Sequence, residues 1–175
     1  QPEQRANEAN NQDYSENSTV FHARILSNPT GKAMQLSDHF TLSEFCTSQT
    51  AARLGISNDP PLDIVGHLRR TAQGMERVRS VLNNNAIHIN SGYRSLKVNA
   101  AVGSKATSQH VTGEACDFIC PTWGTPDKIM RAIVDSAIDY DQIINEFGAW
   151  IHISFSDKSR RQALVIDHSG TRNFV

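Results

Sequence analysis

No stretch of this sequence approaches the roughly 18 consecutive apolar residues that a transmembrane helix requires. The first twenty residues, QPEQRANEANNQDYSENSTV, also lack the apolar segment of a secretory signal peptide. We therefore expect a soluble chain that does not span a membrane and that carries no export signal of its own.

The chain has only three cysteines, too few for a disulfide framework, and no Cys-x-x-Cys spacing of the kind found in thiolate zinc sites. Cys116 and Cys120 fall in a predicted strand, where four residues span roughly 13 Å, too far for a disulfide bond. We expect all three thiols, including Cys46, to be reduced and to fill space in the core.

Neither sign of charge dominates, because 17 Lys and Arg residues face 18 Asp and Glu residues, for a net charge of −1. This balance favours neither nucleic acid nor a membrane surface as a partner. Residues 1–19 hold four acidic residues and one arginine among Asn, Gln and Ser, which predicts a disordered lead with a charge of −3. The remaining chain then carries +2, which suits an anionic polymer as substrate.

Order is predicted over 36–175 as a single domain. Ser37 or Ser43 is expected to cap a first short helix that turns Phe and Leu side chains toward the core. Apolar residues then recur every three to four positions over 62–82, which predicts one long amphipathic helix with Gly74 as its weak point.

The apolar period changes to two at 87–89, which indicates a strand. Further segments with a strand pattern are 114–120, 142–146, 150–155 and 163–167. Pro126 opens a helix between the first two of these segments, with Ile129, Ile133 and Ala137 predicted to face inward. Helices followed by a small sheet with one inserted helix predict the α+β class, with a mostly antiparallel sheet flanked by helices.

The segment SQHVTGEACDF places His110 and Asp117 seven residues apart. A straight helix would separate them by about 10.5 Å, too far for both to bind one metal ion at about 2.1 Å. A turn at Gly113 followed by a strand would bring the Asp117 carboxylate back toward His110. In WIHISF, strand alternation sets His152 on the face opposite to its apolar neighbours.

Two imidazoles and one carboxylate, with a fourth position left to water, form the ligand set typical of catalytic zinc, whereas structural sites favour cysteine. His110, Asp117 and His152 therefore form a candidate site for one Zn²⁺ per chain and for hydrolysis. From spacing alone the alternative stays open that each is a surface residue or a satisfied hydrogen-bonding group. The other histidines have no comparable partner and are interpreted as structural or solvent-exposed. They are His22, His39, His67, His88 and His168.

Three blocks, SGYRSLKVNAAVG, SQHVTGEACDF and INEFGAWIHISF, resemble the signature segments of the zinc-dependent D-alanyl-D-alanine carboxypeptidase family of peptidoglycan peptidases. The pattern SxHxxGxAxD followed by Trp-x-His is specific, and the resemblance covers 38–155. The segment HFTLSEFCTSQTAARLGISNDP is similar to the lead-in of phage and prophage members. The resemblance implies the fold shared with the hedgehog signalling domain, zinc on His110, Asp117 and His152, and a zinc-bound water that attacks a peptide carbonyl.

The resemblance also implies roles for residues that hold no metal. Arg94 matches the arginine of SGYR, whose guanidinium engages the substrate's carbonyl oxygen or terminal carboxylate. Ser108 matches the serine before the first histidine, which binds the substrate backbone. Trp150 is interpreted as stacking on the substrate. A surface ion pair for Arg94, a loop cap for Ser108 and a packed sheet aromatic for Trp150 are the structural alternatives.

The predicted general base departs from the family pattern, because relatives commonly carry a Glu three residues before the last histidine and this chain has Ala149 there. Glu146 is the predicted replacement. A three-residue hairpin loop at 147–149 would put Glu146 on the face of His152, whereas a two-residue turn would put it opposite. Asp141 is the reserve candidate, although its position before the strand favours a turn cap.

These features predict a zinc peptidase that hydrolyses stem or cross-link peptides of bacterial peptidoglycan, of the phage or prophage endolysin type. A carboxypeptidase that trims terminal D-alanine, and a non-hydrolytic wall-binding or virion protein, are the alternatives. We expect a monomer whose partners are peptidoglycan peptides, with no nucleic acid and no membrane. It would be made in the bacterial cytoplasm and act at the cell wall after release through a separate membrane pore.

Overall fold

The computed structural model describes residues 33–175, so the predicted lead 1–19 and His22 lie outside the described residues. The helices in this part of the chain are α1 (Leu42–Cys46), α2 (Gln49–Leu54), α3 (Leu62–Val81), α4 (Leu96–Ala101) and α5 (Pro126–Val134). Its strands are β1 (His88–Ser91), β2 (Ala115–Ile119), β3 (Gln142–Glu146), β4 (Trp150–Ser154), β5 (Gln162–Asp167) and β6 (Gly170–Asn173). None of the helices described over 33–175 is long and apolar enough to cross a membrane.

The strands form one sheet in the order β1-β2-β4-β3-β5-β6, which confirms the α+β class. The sheet is mixed rather than mostly antiparallel, because β3 and β5 run parallel while the other neighbours are antiparallel. Strand β4 runs antiparallel to β3 and ends beside the start of β3. Residues 155–161 then pass the start of β3 to its other edge, where β5 pairs with it in parallel. The new pair begins where the Gln162 N–H donates to the Asp141 carbonyl at 3.0 Å.

One face of the sheet carries the core. Its fully buried side chains include Cys116, Phe118, Ile143, Ile151 and Ile153. Helix α5 packs on β3 and β4 and contributes the buried Ile129, Met130 and Ile133. Each such side chain contributes roughly 1.5–3 kcal/mol to the free energy of unfolding. The alternation that buries these residues turns the other side chains of β2, β3 and β4 toward the opposite face.

Helix α5 ends earlier than predicted. It stops at Val134, and Ala137 lies beyond it and is exposed, so the predicted inward position of Ala137 is wrong. The Ser136 hydroxyl donates to the Ile133 carbonyl at 2.6 Å and occupies an acceptor that a continuing helix would use. Ile129 and Ile133 are buried as predicted.

The predicted long helix over 62–82 is confirmed as α3, and Gly74 is a packing residue rather than a weak point. A Cβ atom added at Gly74 would lie 2.6 Å from the Phe155 ring. Glycine therefore lets the helix approach the residue that follows β4. The cost of glycine in a helix is offset here by close packing that a larger residue would prevent.

Helix α1 is capped by Thr41 and not by Ser37 or Ser43. The Thr41 hydroxyl accepts the Glu44 N–H at 3.3 Å, and the Glu44 carboxylate accepts the Thr41 N–H at 2.7 Å, a reciprocal capping box. Ser37 instead donates its hydroxyl to Glu76 at 2.7 Å. The sequence signal was a Thr followed three residues later by Glu.

All three cysteines are free and buried, as predicted. Burial, with a smaller contribution from the charge of Asp59, raises the pKa of Cys46 to about 12. Burial also raises the pKa of Cys116 well above its usual range. The thiols of Cys46 and Cys116 are therefore protonated at neutral pH and behave as small apolar side chains.

Candidate metal centre

Three buried side chains converge beside the middle of the sheet. His110 Nε2 lies 3.2 Å from His152 Nδ1 and 3.2 Å from Asp117 Oδ1, and His152 Nδ1 lies 2.9 Å from Asp117 Oδ1. Ligands at about 2.1 Å from a tetrahedral ion lie roughly 3.4 Å from one another. The three atoms therefore have nearly the spacing of one face of a tetrahedral coordination shell. The structure brings together all three sequence-predicted ligands.

Local sequence explains this convergence. Asp117 on β2 is directly opposite His152 on β4, so the two side chains share a face of the sheet. His110 comes back to them through a turn that ends at Gly113, which has φ +71 and is buried. A Cβ atom there would lie 2.9 Å from Ile64 Cγ2. The turn predicted from the sequence at Gly113 is thus confirmed, for reasons of both conformation and space.

One hydrogen bond fixes which nitrogen of His110 is available. His110 Nδ1 lies 2.6 Å from the Gly92 carbonyl oxygen, so Nδ1 donates and the lone pair of the neutral ring is on Nε2. That Nε2 atom and the nearby Asp117 oxygen are then two buried acceptors 3.2 Å apart. Adjacent buried acceptors repel unless a cation or proton lies between them. The donor set therefore fits a metal ion.

Arg94 bonds the oxygen of Asp117 that faces away from the imidazoles. Its Nη2 donates to Asp117 Oδ2 at 2.6 Å, and its Nε donates to Ser91 Oγ at 3.0 Å. Burial alone would raise the pKa of Asp117, but the positive charge and hydrogen bonds that the imidazoles of His110 and His152 supply when protonated outweigh burial and hold that pKa well below its usual range. Asp117 is thus an ionised candidate ligand with one oxygen oriented by arginine. Among the described residues, Arg94 Nη1 has no hydrogen-bond partner.

Glu146 lies on the same face of the sheet as His152. It pairs with Trp150 across a three-residue loop, which confirms the longer of the two predicted turns. Phe147 and Gly148 adopt φ 55 and φ 64 in this loop, and the Ala149 N–H donates to the Glu146 carbonyl at 2.9 Å. Burial, followed by the charge of Asp117, raises the pKa of Glu146. A carboxyl group with a raised pKa beside a metal suits proton transfer.

Ser108 and Trp150 line the same cleft, but each also has a structural contact. The Ser108 hydroxyl accepts the His110 N–H at 3.4 Å, a bond within the loop. The half-buried ring of Trp150 lies 6.4 Å from the Phe147 ring, centroid to centroid. The structural alternatives, a loop cap for Ser108 and a packed aromatic for Trp150, are therefore both observed. The substrate roles of the two residues stay predictions.

The reserve candidate Asp141 has a different environment. Its side chain is fully buried, and Arg160 donates from Nε to Oδ1 and from Nη2 to Oδ2, each at 2.7 Å. The Arg160 N–H and Gln109 Nε2 donate as well, at 3.1 and 2.9 Å. Hydrogen bonds from Arg160 are the main cause of a pKa held far below the usual range of Asp141. This arrangement stabilises structure, and sequence analysis had no signal for the pairing with Arg160.

Two open clefts adjoin the centre and share one of the convergent ligands, Asp117. One, of about 760 Å³, is lined by all three of them and by Glu146. The other, of about 890 Å³, extends past β1 and the start of α2. The residues that line both are Arg94, Ser104, Asp117 and Trp150. The metal centre is therefore reached from a groove that continues on two sides.

Two buried imidazoles and an ionised carboxylate, open to a cleft and beside a second carboxylate, define a metal-dependent hydrolase site. A family model described as Peptidase M15 matches residues 38–154, and the chain belongs to this family of zinc D-alanyl-D-alanine carboxypeptidases. The matched segment contains every residue of the centre described above. The chain is thus a metallopeptidase of a zinc-dependent family. No curated protein matched the chain.

Proposed function

We propose that this protein is a zinc peptidase that hydrolyses the stem or cross-link peptides of bacterial peptidoglycan, and that it acts as an endopeptidase of the endolysin type. The observation that carries the proposal is the convergence of His110, Asp117 and His152 in a chain of the Peptidase M15 family. We propose zinc as the ion because the nitrogen and oxygen ligands, three in number with an open side, match catalytic zinc sites.

His110 Nε2, Asp117 Oδ1 and His152 Nδ1 would hold the zinc ion. Bound zinc supplies a polarised substrate carbonyl and a water molecule whose pKa is lowered toward about 7. Glu146 takes a proton from the attacking water and returns it to the leaving nitrogen, and its raised pKa favours the first of these transfers because it makes the carboxylate a stronger base. Arg94 orients Asp117 and offers its remaining nitrogen to the substrate's carbonyl oxygen or carboxylate.

The two-sided groove supports an endopeptidase. An endopeptidase must accommodate peptide on both sides of the scissile bond, and two clefts that share Arg94 and Asp117 adjoin the centre. A carboxypeptidase needs space on one side and a group for the terminal carboxylate on the other. Arg94 could supply that group, so trimming of terminal D-alanine is the second candidate activity.

The cellular role belongs to the same proposal. The likeness of HFTLSEFCTSQTAARLGISNDP to phage and prophage members supports a lysis enzyme, which would act at the cell wall after release from the bacterial cytoplasm. A monomer with one zinc ion is sufficient for this chemistry, since one chain supplies all three ligands and Glu146.

The deciding experiment is digestion of defined cross-linked and uncross-linked muropeptides by the zinc-loaded protein, with product masses as the readout. Disappearance of cross-linked dimers, or cleavage within the stem peptide, is the result expected. Loss of terminal alanine alone would make the protein a carboxypeptidase. Unchanged masses with one zinc per chain, measured by elemental analysis, would overturn hydrolysis and favour a wall-binding role. His110→Ala serves as the inactive control.

A further inference from the structure

The cleft that contains the metal ligands has two lysines at its rim. Lys105 lies in the loop after α4, and Lys158 lies in the loop between β4 and β5. Both are exposed, and neither forms an ion pair within the described residues 33–175. Arg160 also lines this cleft, but its charge is paired with Asp141 at 2.7 Å. Two uncompensated positive charges therefore stand beside the centre.

The backbone under each lysine is held in place. Asn99 is buried, and its Nδ2 donates to the carbonyls of Ser104 and Lys105 at 3.2 and 2.9 Å. Two residues after Lys158, Arg160 bonds Asp141 with both its side chain and its N–H. The lysine side chains are exposed, but the backbone from which each extends is held by hydrogen bonds. Both charges therefore stay near the cleft.

The cleft has two acidic residues in its lining, and one of them is already paired. Its acidic lining residues are Asp117, which bonds Arg94 and the imidazoles, and Glu146, which is half-buried on the face of the sheet. The second cleft has Glu44 in its lining and no lysine. The groove is thus polarised along its length, with its excess positive charge on the side of Lys105 and Lys158.

We propose that Lys105 and Lys158 form a subsite for carboxylate groups of the substrate peptide. The inference rests on the proposed function and names the substrate feature that the site selects. Peptides with a free carboxylate near the scissile bond are preferred over the same peptides with that carboxylate amidated. Because each lysine is exposed and acts as a solvated point charge, each contributes a few-fold to binding and not more.

The test compares two stem peptides that differ only in one carboxylate, free or amidated, in steady-state kinetics with zinc-loaded protein. For the free peptide, Lys105→Gln combined with Lys158→Gln should raise KM about 3- to 10-fold with kcat retained. For the amidated peptide, KM should not change. Added salt should raise the KM of the unsubstituted protein for the free peptide and have little effect on the double variant.

Lys128→Gln is the matched control, because Lys128 is an exposed lysine on α5 that lines neither cleft. An equal rise in KM for both peptides, or no rise for either, would overturn the subsite. If the unsubstituted protein cleaves neither peptide, the proposed function fails. Fluorescence anisotropy of labelled peptides on the zinc-loaded protein then tests the subsite separately. The unsubstituted protein must bind the free peptide more tightly than the amidated one, and the double variant must lose this preference.

Discussion

Two aspartates, Asp117 and Asp141, are buried, and each bonds an arginine. The groups that contact the Asp141 carboxylate, from Arg160 and Gln109, all donate hydrogen bonds to it, so its charge is fully compensated. Asp117 faces His110 and His152, whose nitrogens converge on one of its oxygens. Burial and an ion pair with arginine are common to both aspartates and do not distinguish them. The side chains that face each carboxylate distinguish the structural aspartate from the candidate metal ligand.

The two groups are joined through one loop. Gln109 bonds Asp141, and the next residue, His110, contributes a nitrogen to the convergent set. The structural group thus supports the loop from which a ligand projects. If the comparison is correct, substitutions around Asp117 change metal binding, whereas substitutions around Asp141 change the free energy of unfolding.

The largest effect is expected for a ligand. His110→Ala should abolish zinc binding and hydrolysis, a loss beyond the roughly 10- to 100-fold that removal of a supporting hydrogen bond costs in metal sites. Bound zinc is measured by elemental analysis and activity by muropeptide digestion. Asp141→Asn is the matched comparison and should retain the metal. Zinc retained at full occupancy in His110→Ala would contradict the assignment of the centre.

Glu146→Gln extends the comparison to the carboxylate that lies beside the centre without joining it. We expect activity to fall by about 10²- to 10⁴-fold because proton transfer is lost, while zinc content is unchanged. Product formation is measured alongside metal content. Glu114→Gln is the control, because Glu114 is a glutamate that lines neither cleft. Full activity in Glu146→Gln would remove it as general base.

Arg160→Gln should lower the free energy of unfolding by about 3 kcal/mol, because it leaves the buried Asp141 charge without its main partner. Urea denaturation measures the change, and zinc occupancy should be retained. Arg172→Gln breaks an exposed pair with Asp167 and should cost less than about 1 kcal/mol. Equal effects of the two substitutions would show that Asp141 is not a structural charge.

The same pair predicts a pH dependence. The native pKa of Asp141 is held far below its unfolded value of about 3.9, so its stabilisation is present above that pH and is lost as pH falls further. The stability difference between the unsubstituted protein and Arg160→Gln should therefore be constant above about pH 5 and shrink below about pH 4. Urea denaturation at several pH values measures it, and a difference that grows on acidification would refute the assignment.

Among the substitutions around the two aspartates, the smallest effect is expected for Gln109→Ala, which removes one hydrogen bond to Asp141 but keeps Arg160 in place. A loss of about 1 kcal/mol in the free energy of unfolding is expected. Zinc affinity should fall by no more than about 10-fold, because the loop is loosened and not displaced. A larger loss of affinity than of stability would show that the two groups are coupled more tightly than the comparison assumes.

The ligands could be predicted from sequence because short-range rules place them. A glycine turn and strand alternation position His110, Asp117 and His152, and the loop of three residues determines the face of Glu146. The pairing of Arg160 with Asp141 spans 19 positions through an irregular segment that has no pattern. The parallel direction of β5 was missed because an alternating strand pattern carries no information on direction, and β6 because its four residues are all exposed.

Strand β5 lies beyond the segment by which the family is recognised, which ends at residue 154. Yet Ile166 on β5 lines the cleft, and its carbonyl accepts the N–H of Phe147 at 2.8 Å in the loop next to Glu146. A truncated chain that stopped at residue 154 would keep every ligand but leave β3 as an unpaired edge prone to aggregation. We therefore expect the shortest functional fragment to extend past residue 154, the end of the matched segment, and to include the hairpin β5–β6.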